Sequence, residues 1–303
     1  MANAFLKAEV IAATALGLLE RELILSNLVW SNAGFDFTGA KADTVTVRIP
    51  AQLTAREYDW RNNRASDIVL DDVAEDSITV QLNKDIYSAV GVTDEELTLD
   101  IKDFGSQILE PQVKAVAKAI DAGVASMITG ATYATTIAAK TDKIFEAFVD
   151  ARAALNKEEV PTENRTILVG ADVENALLKS GRLVDVSQSG SDSALREATV
   201  GRLAGFNIVQ SNAIGAKEAF AFVPSAFVLA TRAPAIPGGV AFGASQSYNG
   251  LSMRWVRDYD AAKLRDRSIV NMYAGFNVMT DKPQAGGVKK LVRAVKLNFT
   301  DPV

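Results

Sequence analysis

The chain contains no histidine and no cysteine. The first absence removes the imidazole as general base and metal ligand; the second removes thiolate nucleophiles, disulfides and His/Cys zinc sites. Most familiar hydrolase mechanisms go with them. Positive charge is in deficit, 32 Lys and Arg against 37 Asp and Glu over 303 residues, which argues against a surface that coats nucleic acid phosphates throughout and leaves only a local basic strip open. Long hydrophobic runs are missing as well. The apolar stretch at 10–19 is bracketed by Lys7, Glu9 and Glu20-Arg21-Glu22 without a small-residue cleavage site, so it is not a signal peptide. The uncharged stretches 122–139 and 233–253 are interrupted by threonines in one case and by Pro234, Pro237 and four glycines in the other, so neither spans a bilayer and no membrane partner is expected. Synthesis in a cytoplasm is the default expectation. What is present, 48% hydrophobic and 23% charged residues, is the balance of a soluble globular protein with enough chain for two intertwined domains.

Residues 4–30 read as a helical arm or a core helix, with Phe5, Leu6, Val10, Leu16, Leu19, Leu23 and Ile24 at three- and four-residue steps. Strict alternation at 44–49 and 77–83 gives two strands that pair as hairpin arms. Between them, 50–77 carries Arg56, Tyr58, Trp60, Arg61 and Arg64 without apolar periodicity. A connection of that length is either a contact surface, since aromatics and arginine are what interfaces enrich, or a disordered flap. A stripe of Phe104, Ile108, Leu109, Val113, Val116, Ile120, Val124 and Met127 predicts a long helix over 98–130, started or kinked by Pro111. A further helix at 142–156 is capped by Thr141 and buries Ile144, Phe145, Phe148, Val149 and Leu155. Thr166 to Val169 is a buried strand, and Asp172 opens a helix running to Lys179 and stopping at Gly181. A polar, mobile loop at 187–193, a strand at 207–210 and a run at 220–230 broken by Pro224, an edge strand or two short ones, follow. Strands at 252–259 and 270–278 make a second hairpin; in the last strand, 288–297, both rows are mixed and the facing stays open.

Catalytic motifs are scarce. The acids Asp71-Asp72, Glu75-Asp76 and Asp94-Glu95-Glu96 are consecutive rather than at ligand spacing, which favours solvated turns over a carboxylate-dependent metal enzyme, the distant alternative. No catalytic, metal or cofactor residue is assigned, and no enzyme is expected. Charge, however, is unevenly placed. Residues 66–110 hold twelve acids against two lysines, net −10, while 254–303 hold ten bases against five acids, net +5. Either the two segments attract between copies, head to tail, or they face each other within one chain. Taken as a copy-to-copy contact, the candidate interface residues are Arg56, Tyr58, Trp60, Arg61, Arg64, Asp71, Asp72, Glu75 and Asp76 on one side and Arg254, Arg257, Arg265 and Arg267 on the other.

The order of these elements, together with Thr44-Val-Thr-Val-Arg-Ile-Pro50, Val90-Gly-Val-Thr-Asp-Glu-Glu96, Thr166-Ile-Leu-Val169 followed by Asp172, and Gly205-Phe-Asn-Ile-Val-Gln-Ser211, resembles the major capsid proteins of tailed bacteriophages, of the Hong Kong ninety-seven type, a fold shared with encapsulins. The resemblance covers roughly residues 1–285 and implies an α+β chain: an N-terminal arm (1–40), an extended hairpin loop (41–93), a peripheral domain with the spine helix (94–141 and 251–285), an α/β axial domain (142–250) and a C-terminal strand or tail (286–303). It implies an icosahedral head of pentamers and hexamers around double-stranded DNA held by non-specific contacts, assembled in the host cytoplasm, with separate scaffolding, portal and decoration proteins as partners. An encapsulin-like nanocompartment around cargo enzymes is the nearest rival. Some relatives crosslink through a lysine of the extended loop; 50–77 contain none, so no isopeptide bond is expected. The stretch before Thr44 is too short for a built-in scaffolding domain, so any scaffold is expected to be a separate protein.

Overall fold

The computed structural model describes residues 8–31, 44–49, 55–58, 60, 67–70, 76–96, 104–180, 201–240, 242–248, 251–284 and 286–301. Two six-stranded sheets and a two-stranded ribbon are joined by one long helix. The first sheet has the order β1 (Trp30–Ser31), β10 (Phe227–Arg232), β13 (Arg265–Val278), β12 (Leu251–Asp260), β11 (Phe242–Tyr248), with β4 (Lys84–Thr93) also paired to β13. Across it lie α1 (Ala8–Glu22) and α2 (Glu110–Gly130).

Pro111 sits in the first turn of α2, where α-helical hydrogen bonding takes over from a π-helical turn that already has helical backbone. Val113, Val116, Ala117, Ile120, Val124, Ala125 and Ile128 are buried at helical spacing. Ile128 rather than Met127 closes the stripe, Met127 being half-buried. A π-helical turn, Gly105–Leu109, precedes the helix, so the expected continuous α-helix from 98 is not formed; 97–103 lie outside the described residues. At Gly123 a Cβ would stand 2.5 Å from the Phe276 ring, which is how closely sheet and helix approach. The N-terminal segment, as far as it is described, is a core helix: Ala12, Ala15, Leu16 and Leu19 are buried against α2 and the sheet. Leu16 and Leu19, removed from water, each stabilise by about 1.5–3 kcal/mol, which a detached arm would forgo. Ile24, placed on the apolar face by periodicity, is 57% exposed because α1 has ended at Glu22.

The second sheet runs β5 (Tyr133–Lys140), β14 (Leu291–Thr300), β9 (Glu218–Phe222), β6 (Thr166–Val169), β8 (Phe206–Gln210), β7 (Arg202–Leu203), with α3 (Ile144–Lys157) and α4 (Ala171–Lys179) packed on it. One core joins both sheets through α2, including Phe220, Phe222 and Leu291 from the second sheet and Met253, Trp255, Val270 and Met272 from the first. Another fills the space under α3 and α4.

Several expectations are corrected here. Thr141 does not cap α3: Lys143 holds the cap position, without a side-chain cap bond, two residues after Thr141, whose N–H donates to Thr300 O at 3.0 Å. Ala147 and Ala151 complete the buried face of α3 in place of Phe145, half-buried, and Val149, 43% exposed. Pro224 begins a 3-10 turn, Pro224–Ala226, at which the chain crosses from one sheet to the other, so β9 and β10 are interior strands and not an edge. Consequently 227–232 and 242–248 pair with the 251–278 hairpin and not with the 142–226 strands. The last strand is no tail: β14 lies between β5 and β9, and both of its rows are mixed because both faces are covered. The loop expected at 187–193 and Gly181 lie outside the described residues. Among those residues, no helix is long and apolar enough to cross a membrane.

Candidate subunit interface

The ribbon consists of β2 (Thr44–Ile49) and β3 (Asp76–Gln81), antiparallel, with Val45 opposite Val80 and Val47 opposite Ile78, as their alternation requires. A lone two-stranded ribbon is marginal in water, so its root needs support. Val80 is fully buried with Val228, Ala230 and Met279, and Trp30, Ile78 and Leu82 pack around them. Asn277 Nδ2 donates to Thr79 O at 2.6 Å. At Gly275 any side chain would collide, a Cβ standing 2.4 Å from Gln81 O, so the ribbon root rests directly on the backbone of β13. The root is therefore fixed to the body.

Between β2 and β3 the described residues expose large apolar side chains. Trp60 is 87% exposed, and Ile68, Val69 and Leu70 are 68%, 69% and 82% exposed. Arg56 is exposed and donates to Val69 O at 3.2 Å, tying the outgoing and returning segments together, while Tyr58 is half-buried. Asp76 opens β3 opposite Ile49. Arg61, Arg64, Asp71, Asp72 and Glu75 lie outside the described residues. The apolar triple 68–70 escaped the sequence reading, although three aliphatic residues in a polar, acidic connection were a visible signal.

The arginines of the second group are engaged within the subunit. The β12–β13 register places Asp258 opposite Arg267 and Asp260 opposite Arg265. Arg267 Nε donates to Asp258 at 3.1 Å, and this pairing raises the Arg267 pKa above its ordinary value. Arg257 Nε donates to Asp266 at 3.1 Å with its guanidinium 4.7 Å from the Phe104 ring centroid. Arg265 Nε is 3.9 Å from Asp260, and its side chain lies over Gly91. Arg254 Nε donates to Asn271 Oδ1 at 3.0 Å and a terminal nitrogen to Ala235 O. From the acidic segment, Asp94 accepts the Tyr259 hydroxyl at 2.8 Å and Asp85 accepts from Asn271 at 3.2 Å. Of the two arrangements the sequence left open, acids 85 and 94 and the 254–267 hairpin adopt the one within a single chain.

Asp94, Glu95 and Glu96 are described and no metal-binding group of acids is found among the described residues; Asp71, Asp72 and Glu75 lie outside them. Glu96 instead accepts the Thr93 N–H at 3.0 Å while Thr93 Oγ1 accepts the Glu96 N–H at 3.3 Å, a capping box that starts the next turn. The sequence reading also passed over Asp121. From the middle of α2 it accepts the N–H groups of Ile24 at 2.9 Å, Leu25 at 3.3 Å and Ser26 at 3.0 Å, and the Ser26 hydroxyl at 2.8 Å. This clasp sets the direction in which the chain leaves α1 for β1 and the ribbon.

A long helix between two sheets, with a projecting ribbon rooted on the first, is the architecture of shell-forming capsid proteins of the Hong Kong ninety-seven type. The structure is similar to that of Mycobacterium phage Che8, with 19% identity, 91% of each chain covered and a TM-score of 0.64. It is also similar to the capsid of cyanophage P-SCSP1u, with 13% identity, 90% of this chain and 86% of that one covered and a TM-score of 0.61. A virus-like particle from Pyrococcus furiosus aligns at 12% identity over 95% and 98% with a TM-score of 0.53. At these identities the likeness shows the fold. No protein of curated function matches the sequence at significance. The profile of the family described as phage capsid protein matches residues 76–289, and the chain belongs to that family. It is a structural, shell-forming protein of the virion capsid.

Proposed function

We propose that copies of this chain close into an icosahedral head of pentamers and hexamers around double-stranded DNA, the ribbon of each copy lying across a neighbour. The observation that carries this reading is the ribbon end: a root locked into the body and a tip exposing Trp60 and Ile68 to Leu70, which a subunit in isolation leaves in water. Arg56 and Tyr58 flank that apolar surface, and Arg61, Arg64 and the acids 71, 72, 75 and 76 adjoin it in sequence, the residue types of a polar rim. Arg254, Arg257, Arg265 and Arg267 stiffen the hairpin through their internal pairs and present their remaining donors to an adjacent copy. The first sheet with α2 serves as the peripheral domain, and the second sheet, including β14, as the axial domain. The net charge of −5 suits an inner wall that holds DNA without gripping it. Assembly takes place in the host cytoplasm with separate scaffolding, portal and decoration proteins, without a catalytic step and without a lysine crosslink from 50–77.

Deleting residues 55–66 tests the interface: folded subunits that form no shells are expected, and intact shells would refute it. A second reading, an encapsulin-like shell around cargo enzymes, uses the same fold, which the Pyrococcus virus-like particle shares over 98% of that chain. Nuclease-protected DNA in purified particles favours the phage head; a co-purifying enzyme favours the cargo shell.

A further inference from the structure

We propose that Arg165 and Arg152 form an oxyanion-binding site beside the β7–β8 turn of the second sheet. Arg165 precedes β6 and is 2% exposed. Its Nε donates to Pro161 O at 2.8 Å and its Nη2 to Val160 O at 2.6 Å, which fixes one edge of the guanidinium fork. Its Nη1 is buried and has no hydrogen-bond partner. A buried charge without a counter-charge is among the least favourable arrangements a core can hold, and a free guanidinium edge is shaped for an oxyanion.

Among the described residues no carboxylate is bonded to it. Glu158 and Glu159 accept from Gln284, at 2.9 Å and 3.1 Å, and Glu163, two residues away, makes no bond to Arg165. The charge that acts on Arg165 is a second cation: burial first, then Arg152, hold its pKa below the ordinary arginine value. Arg152 is exposed on α3 and lies across the turn. Its Nη1 donates to Ala204 O at 3.2 Å, and a Cβ on Gly205 would come 3.2 Å from the same nitrogen. Ala204 and Gly205 have φ of 51° and 88°, the two positive values of a tight hairpin turn, so glycine keeps the space that Arg152 occupies. Arg165 O accepts the Asn207 N–H at 2.9 Å, and in the hairpin register Arg202 stands opposite Asn207. Arg152 thus reaches the hairpin turn from α3, the backbone of Arg165 is bonded to the hairpin at Asn207, and the buried Arg165 guanidinium has an unused donor.

The oxyanion has two sources, inorganic phosphate from solution and a carboxylate of an adjacent copy in the shell. Thermal denaturation of the full chain, as unassembled subunit and as particles, in phosphate and in sodium chloride of equal ionic strength, separates them. The subunit is expected to gain roughly 2–4 °C in Tm in tens of millimolar phosphate, and Arg152→Ala and Arg165→Met to lose that gain. The same gain in particles identifies a solution anion; a gain confined to the subunit identifies a neighbour's carboxylate; both support the site. Equal Tm of the subunit in the two salts, or a phosphate gain undiminished in the variants, overturns it. If Arg165→Met does not fold, Arg152→Ala, an exposed change, decides alone.

Discussion

Replacing Asp121 tests how the N-terminal helix is held to α2. The carboxylate takes four hydrogen bonds from residues 24–26, two of them at or below 2.9 Å. In Asp121→Ala, Ile24 N–H is exposed and turns to water, but the Leu25 and Ser26 N–H groups are partly buried. Losing two charge-assisted bonds and leaving those donors unmet costs about 3–5 kcal/mol. Asp121→Asn keeps one acceptor oxygen and loses the charge, at about 1.5–3 kcal/mol, and Ser26→Ala loses one hydroxyl bond, at about 1 kcal/mol. With a urea slope of about 2–3 kcal/mol/M, the alanine variant lowers the unfolding midpoint of the subunit by roughly 1–2 M, and the three variants fall in that order. Hydrogen exchange of amides 24–26 should accelerate while β6, in the other sheet, keeps its protection. A midpoint within error of the unmodified chain, or exchange that rises equally in β6, would refute the clasp.

Three further outcomes follow from the packing. Gly275→Ala forces Gln81 and the ribbon root off β13, lowering stability by about 1–3 kcal/mol in thermal denaturation and reducing the yield of closed shells; an unchanged Tm contradicts the contact. Gln112→Leu removes the donor to Ser88 O at 3.1 Å and to Ser268 O at 2.8 Å and the acceptor for the Ser268 hydroxyl, which itself accepts from Trp255 Nε1, and should cost about 2–4 kcal/mol by denaturant titration. Burial, then Glu218, raise the Tyr133 pKa far above 10, and its hydroxyl donates to Ile128 O at 2.7 Å. The stability this contributes is complete below the unfolded tyrosine pKa and is lost as pH rises toward the folded value, so tyrosinate absorbance from Tyr133 should appear only with alkaline unfolding and vanish in Tyr133→Phe. Ionisation of all six tyrosines in a folded subunit would contradict it.

Strong periodicity made α2, α3 and the β2–β3 and β12–β13 pairs legible, because their apolar rows are long and well contrasted, while an uninterrupted short apolar run before an acidic helix start marked β6 and α4. β5 was not, since Thr and Ala alternate there with little contrast in hydropathy, and β4 was not, since its Ser, Ala and Gly blur the period. Sheet membership is non-local: nothing near Pro224 states that the chain changes sheet there, and the C-terminal strand enters the second sheet from far along the sequence. For the candidate interface, Trp60 and Arg56 stood out by residue type, whereas Ile68 to Leu70, visible as an aliphatic triple in an acidic connection, gained meaning only with their exposure. The pairing of Arg267 with Asp258 depends on the hairpin register, which a charge count does not contain.

The central claim is that the exposed ribbon end lets this chain build a shell from copies of itself. Negative-stain electron microscopy of the purified protein tests it most directly, comparing the unmodified chain with a Trp60→Ala, Ile68→Ser, Leu70→Ser variant of unchanged Tm. Closed particles of uniform diameter for the first and dispersed subunits for the second are the expected result. Small oligomers from the unmodified chain at every salt concentration, or closed shells from the variant, would contradict the account.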